Sequence, residues 1–85
     1  MKTTETRVIQ IIRSIKDIKY PITKDMDLIN DLFLDSLDML MMINAIESEF
    51  SYEVDMGEVE KIKTVGDIIG ILETETSKTG IHERH

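Results

Sequence analysis

The chain has 85 residues, 41% hydrophobic and 32% charged, enough for one small core and too few for two. It contains no cysteine, which excludes a disulfide framework, a thiolate metal site and a thiol nucleophile of its own. Net charge is −7, and eleven acidic residues lie between Asp25 and Glu60 without one Lys or Arg among them. Such a segment repels phosphate backbones, which excludes nucleic-acid binding, and steers basic partner proteins toward itself.

The start, Met1-Lys2 followed by Thr3-Thr4-Glu5-Thr6, has no signal-peptide core, and the uncharged stretch Met39 to Ile46 is far short of a membrane span. A cytoplasmic, monomeric protein with no membrane span is expected. Aromatic residues are limited to two Tyr and two Phe, while Ile, Leu and Met abound. That composition suits packed helices better than a sandwich.

Val8, Ile11, Ile12, Ile15 and Ile18 recur at helical spacing, with Arg7, Gln10, Arg13, Ser14 and Asp17 opposite. This predicts a helix near 4–18, capped by Thr3 or Thr4 and stopped at Tyr20-Pro21. Residues 20–34 then mix Pro21, Asp25, Asp27, Asn30 and Asp31 with Ile22, Leu28, Ile29, Leu32 and Phe33. So long a connection in so small a domain marks a functional loop, pinned to the bundle by its apolar residues. Asp25-x-Asp27 begins like a calcium loop, but Ile29 and Ser36 stand where later ligands are needed, leaving both acids as solvated loop residues.

A second helix is expected over 36–50, opened by Asp35-x-x-Asp38, whose carboxylates suit the cap and first turn. Met39, Met42, Ile43, Ile46 and Phe50 share its inner face, and Leu37, Met41, Asn44 and Ser48 lie opposite. Asp55-x-x-Glu58 starts a short helix near 56–61. Thr64-x-x-Asp67 resembles a capping box for a last helix near 65–75. Val65, Ile68, Ile69 and Leu72 of that helix point inward, while Gly66 and Gly70 each weaken it by roughly 1 kcal/mol against Ala. The expected architecture is an all-α four-helix bundle, three helices longer and one short, with a long first loop.

Catalytic candidates are few. The two histidines, His82 and His85, fall in the polar end of the chain, remote from any activated serine, so a positioned general base is missing and no enzyme is expected. His82, Glu83 and His85 have no fixed scaffold on which to hold a metal. Ser36 is different: a hydroxyl at a helix start, between two acids, just after Leu32-Phe33-Leu34. It reads either as an ordinary cap or as a hydroxyl offered for covalent modification, with helix amides able to accept phosphate.

Asp31-Leu32-Phe33-Leu34-Asp35-Ser36-Leu37-Asp38 resembles the attachment motif of acyl carrier proteins, Asp-Ser-Leu followed by an acid. The likeness continues through Ile46-Glu47-Ser48-Glu49-Phe50, similar to the family's Leu-Glu-x-x-Phe. Ile62-Lys63-Thr64-Val65-Gly66-Asp67 is in turn similar to its Ile-x-Thr-Val-x-Asp. Three motifs in order, over about residues 5–75, carry the resemblance.

It implies one carrier domain over residues 1–76, and the polar composition beyond it is expected to form a flexible tail over 77–85. It further implies that Ser36 carries 4′-phosphopantetheine, attached by a separate phosphopantetheinyl transferase, and that acyl cargo is held on this arm as a thioester. The arm brings the thiol that the polypeptide lacks. Fatty acid or related biosynthetic enzymes with basic surfaces would be the partners.

Asp35 and Asp38 would engage basic residues of those partners, Leu37 and Met41 would add apolar contact, and Glu47 would flank the strip. Leu40, Met42, Ile46 and Ile62 would wall an acyl chain. The chain departs from the family's usual pattern at Phe33 and Leu34, at Met41 and at Val54-Asp55-Met56. A carrier for polyketide or aminoacyl intermediates shares every motif, and an unmodified helical interaction scaffold shares the fold.

Overall fold

A computed structural model describes residues 3–82, with side chains through Thr74. Its helices are α1 (Thr4–Ile15), α2 (Ser36–Phe50), α3 (Met56–Lys61) and α4 (Val65–His82). No strand occurs among the described residues; a lone antiparallel bridge pairs Asp27 with Thr64. The all-α bundle with three longer helices, one short one and a long first loop is the fold observed.

Local chemistry sets each start. Thr3 accepts a hydrogen bond from the Thr6 amide at 3.1 Å, so α1 begins where its cap allows. Reciprocal capping boxes open α2, between Asp35 and Asp38, and α3, between Asp55 and Glu58. Thr64 Oγ1 accepts from the Asp67 amide at 3.2 Å while Asp67 Oδ2 accepts from Thr64 N–H at 2.9 Å, opening α4. All four starts follow the sequence pattern.

Two ends do not. Helix α1 stops at Ile15, because Lys16 is extended and the Arg13 guanidinium turns to the carbonyls of Ile18 and Tyr20. Ile18 therefore reaches the core from the loop, not from the helix. Helix α4 continues to His82, seven residues past the expected end. Glu83 and His85, invoked above with His82 as metal-ligand candidates, lie outside the described residues, as does the last part of the expected tail.

The core joins Val8 and Ile12 of α1, Met42, Ile43 and Ile46 of α2, and Val65, Ile68, Ile69 and Leu72 of α4. Helix α1 packs against both α2 and α4. The loop between α1 and α2 adds Ile18, Ile22, Leu28, Leu32 and Leu34, all buried. Each such burial is worth about 1.5–3 kcal/mol. Backbone hydrogen bonds fasten the same loop to the linker before α4 and to the first turn of α4: Leu28 N–H to Lys63 O at 2.9 Å, Val65 N–H to Met26 O at 3.1 Å, and Gly66 N–H to Lys24 O at 2.8 Å. A Cβ at position 66 would sit 3.0 Å from the Lys24 carbonyl oxygen, so glycine there permits the close approach.

Asp27 is not simply solvated. Its Oδ1 accepts from the Ile29 and Asn30 amides at 2.9 and 2.7 Å, while Asp31 Oδ2 accepts from the Asp27 amide. The Asn30 amide above all holds the Asp27 carboxyl below the usual carboxylate range. Asp27 and Asp31 thus serve a turn of the loop, while Asp25 is exposed.

Candidate functional site

Ser36 is the first residue of α2, with Asp35 as its cap, and it is exposed. Asp35 Oδ1 accepts from the Asp38 amide at 2.8 Å, and Asp38 Oδ2 accepts from the Asp35 amide at 3.2 Å. The two acids thereby fix where the helix begins and present the hydroxyl at its mouth. The amides of Ser36 and Leu37 lead the helix, with no carbonyl a turn earlier to accept from them within it. Such an end favours negative charge, including phosphate.

The acids differ in their surroundings. Asp38 is largely covered, and its Oδ2 also lies 3.2 Å from the Lys16 ammonium. The Asp35 amide first, and then Lys16, hold its carboxyl below the usual range. Asp35 is exposed and has no basic partner among the described residues. Lys16, just past the end of α1, was not marked by any sequence pattern. Only the packing of α1 against α2 brings it here.

Beside Ser36 opens a cleft of about 440 Å³. Met39, Leu40 and Ile43 of α2 form one wall, Met56 and Val59 of α3 with Val54 form the other, and Asn44 and Glu47 complete the lining. Of the residues expected to wall an acyl chain, only Leu40 lines this cleft. Met42, Ile46 and Ile62 are buried within the bundle, at 0%, 1% and 7% exposure. The wheel of α2 could not separate its cleft side from its core side, since both are apolar. The six-residue α3 is too short to show a period.

The outer strip of α2 matches its expected exposure. Leu37 and Met41 are 63% and 44% exposed, and Asn44 and Ser48 are exposed as well. Glu47 is half-buried and its Oε2 accepts from the Val54 amide at 3.0 Å, so this carboxylate anchors the segment leading into α3. Glu49 pairs with Arg7 at 3.0 Å, and the Arg7 guanidinium lies 4.1 Å above the centre of the Phe50 ring. Among the described residues no cluster of His, Asp or Glu could hold a metal, and no helix is long and apolar enough to cross a membrane.

Residues 6–72 match the family model described as a phosphopantetheine attachment site. The acyl carrier protein of Buchnera aphidicola subsp. Acyrthosiphon pisum is 40% identical over 79 residues, 92% of this chain and 99% of its own length. That of Lactobacillus acidophilus is 37% identical over 73 residues, 76% of this chain and 91% of its own. The match to the Thermotoga maritima acyl carrier protein is 46% identical over 52 residues, 61% of this chain and 64% of that protein, a little under two thirds of its length.

Among solved structures, a Mycobacterium tuberculosis protein assigned as an acyl carrier protein gives a TM-score of 0.75 at 32% identity, covering 78% of this chain and 89% of that one. The chain therefore belongs to the acyl carrier protein family, whose members bear acyl groups on a covalently attached 4′-phosphopantetheine and are carriers rather than enzymes.

Proposed function

We propose that Ser36 bears the 4′-phosphopantetheine and that the chain delivers acyl groups from this arm to fatty acid or related biosynthetic enzymes. One observation carries the reading: an exposed hydroxyl at the mouth of α2 opens beside an apolar cleft. The residues fit the group at both ends. Helix-leading amides suit its phosphate, and the apolar walls, with one methionine on each, suit an apolar chain that bends. When bound, the group supplies a terminal thiol on a long flexible arm, which holds acyl cargo as a thioester.

The chain's own part is to present Ser36 and shelter the cargo. In loading, Ser36 Oγ forms a phosphodiester bond to the pantetheine-side phosphorus of coenzyme A. The phosphoanhydride bond breaks, adenosine 3′,5′-bisphosphate leaves, and the serine proton passes to a base of the transferase. Asp35, exposed and without a basic partner among the described residues, meets basic residues of the partner most directly. Asp38 serves first to fix the helix start, and Glu47 to hold Val54. Leu37 and Met41 give the docking strip an apolar centre between these acids.

Incubation with a phosphopantetheinyl transferase and coenzyme A, read by intact mass, tests the assignment. One phosphopantetheine adduct is expected on the wild-type chain and none on Ser36→Ala, with the helical circular dichroism unchanged because the site is exposed. An adduct retained by Ser36→Ala would refute it.

A further inference from the structure

Phe33 sits in a conformation that its own packing does not repay. Its φ is 59°, the left-handed region that bulky side chains avoid. Its ring is 65% exposed, while Leu32 and Leu34 on either side are buried at 0% and 2%. Hydrogen bonds from Phe33 N–H to Ile29 O at 3.1 Å and from Leu34 N–H to Leu28 O at 3.0 Å close the turn. Burial of the two leucines thus forces the backbone between them into a shape that glycine or asparagine would adopt more easily. An aromatic residue kept there, strained and facing water, is an outlier of the kind that accompanies function.

Its position indicates the partner. Three residues of chain, at most about 11 Å, separate Phe33 from Ser36. An enzyme's footprint on a protein substrate is typically about 800 Å², so an active site that reaches Ser36 covers Phe33 as well. Ile29 and Leu37, four residues to either side, are 59% and 63% exposed. Asp31 and Asp35 are exposed among them, in a segment without Lys or Arg. An apolar centre with an acidic border complements a surface in which basic side chains rim an apolar recess.

We propose that Phe33 is a recognition anchor for the phosphopantetheinyl transferase, its ring entering such a recess as the enzyme engages Ser36. The proposal rests on the attachment of phosphopantetheine at Ser36. The ring contributes through contact with the enzyme before the arm is present, as buried aromatic anchors do in other interfaces.

Steady-state loading of the unmodified chain by a phosphopantetheinyl transferase with coenzyme A tests this, with the carrier as the varied substrate. Phe33→Asn keeps a residue tolerant of the left-handed turn and removes the ring, and Phe33→Tyr keeps the ring. Phe33→Asn is expected to raise KM for the carrier at least fivefold, with kcat within twofold and no fall in melting temperature. Phe33→Tyr is expected to stay within twofold of wild type.

A KM for Phe33→Asn within twofold of wild type would overturn the proposal, and so would a ring that serves only the arm once attached, since loading would then be unaffected. A rise in KM accompanied by matching losses in kcat and melting temperature would overturn it too, showing a structural role. Failure of the wild-type chain to acquire the adduct would instead defeat the Ser36 assignment, and this proposal with it.

Discussion

On one side of Ser36 the loop over residues 16–35 buries Ile18, Ile22, Leu28, Leu32 and Leu34, whereas on the other side α3 buries no side chain. The loop has almost no regular secondary structure, yet backbone bonds to Lys63, Val65 and Gly66 and the Asp27 turn hold it. Helix α3 is regular but lightly attached. Tyr52 Oη donates to Glu58 at 2.6 Å, Glu47 accepts from the Val54 amide, and Met56 is 73% exposed. Regularity and anchorage are therefore reversed between the two. Local stability follows buried apolar contact more closely than helical content. The arrangement fixes the Ser36 end of the cleft and leaves its far wall less firmly anchored.

The largest expected effect is on the fixed side. Leu28→Ala removes a side chain that is 0% exposed and should cost about 2–5 kcal/mol in denaturant unfolding. Met56→Ala, on the opposite wall, should cost less than about 0.5 kcal/mol. Equal losses would break the contrast.

A smaller effect sharpens it. Tyr52→Phe deletes the hydroxyl that holds Glu58 and should lower stability by about 1 kcal/mol. Amide hydrogen exchange is expected to quicken over residues 56–61 and stay unchanged over 22–34. Faster exchange in both segments would show the loop to be no better anchored than α3.

The smallest effect is with pH, and it falls on the loop and the start of α4. Asp27 is held below the usual carboxylate range by the Asn30 amide, and Asp67 by the amides of Lys63 and Thr64. Because the folded-state pKa is lowered, this contribution is complete above about pH 4 and is lost as pH falls through the lowered values. Melting temperature should fall as pH drops below about 4, and the fall should be smaller in Asp27→Asn. Identical profiles for the two proteins would remove Asp27 from the account.

Much of this was legible before any coordinates. The four helix starts are written in short-range capping pairs, Thr3 with Thr6, Asp35 with Asp38, Asp55 with Glu58 and Thr64 with Asp67. Such pairs act over three residues and owe little to the rest of the fold. The exposure of Leu37 and Met41 and the burial of Met42, Ile43 and Ile46 follow from helical period alone. The place of Ser36 at a helix start is local in the same way, but position alone left it between a cap and a modified hydroxyl, and the resemblance of the surrounding motifs singled it out.

What the tertiary structure decided was which apolar residues meet. Period assigned Met39 and Ile43 to an inner face but could not tell that α3 stands off from them, leaving a cleft instead of more core. Lys16 and Asp38 are 22 residues apart, and Glu47 and Val54 lie on separate segments. No local rule pairs either couple. Phe33 is the sharpest instance: its residue type argues against a left-handed backbone, and the burial of Leu32 and Leu34 on either side imposes one. Caps and periods are fixed by neighbours a turn away. Clefts, ion pairs and strain arise where distant segments compete for the same core, and only the folded chain settles that competition.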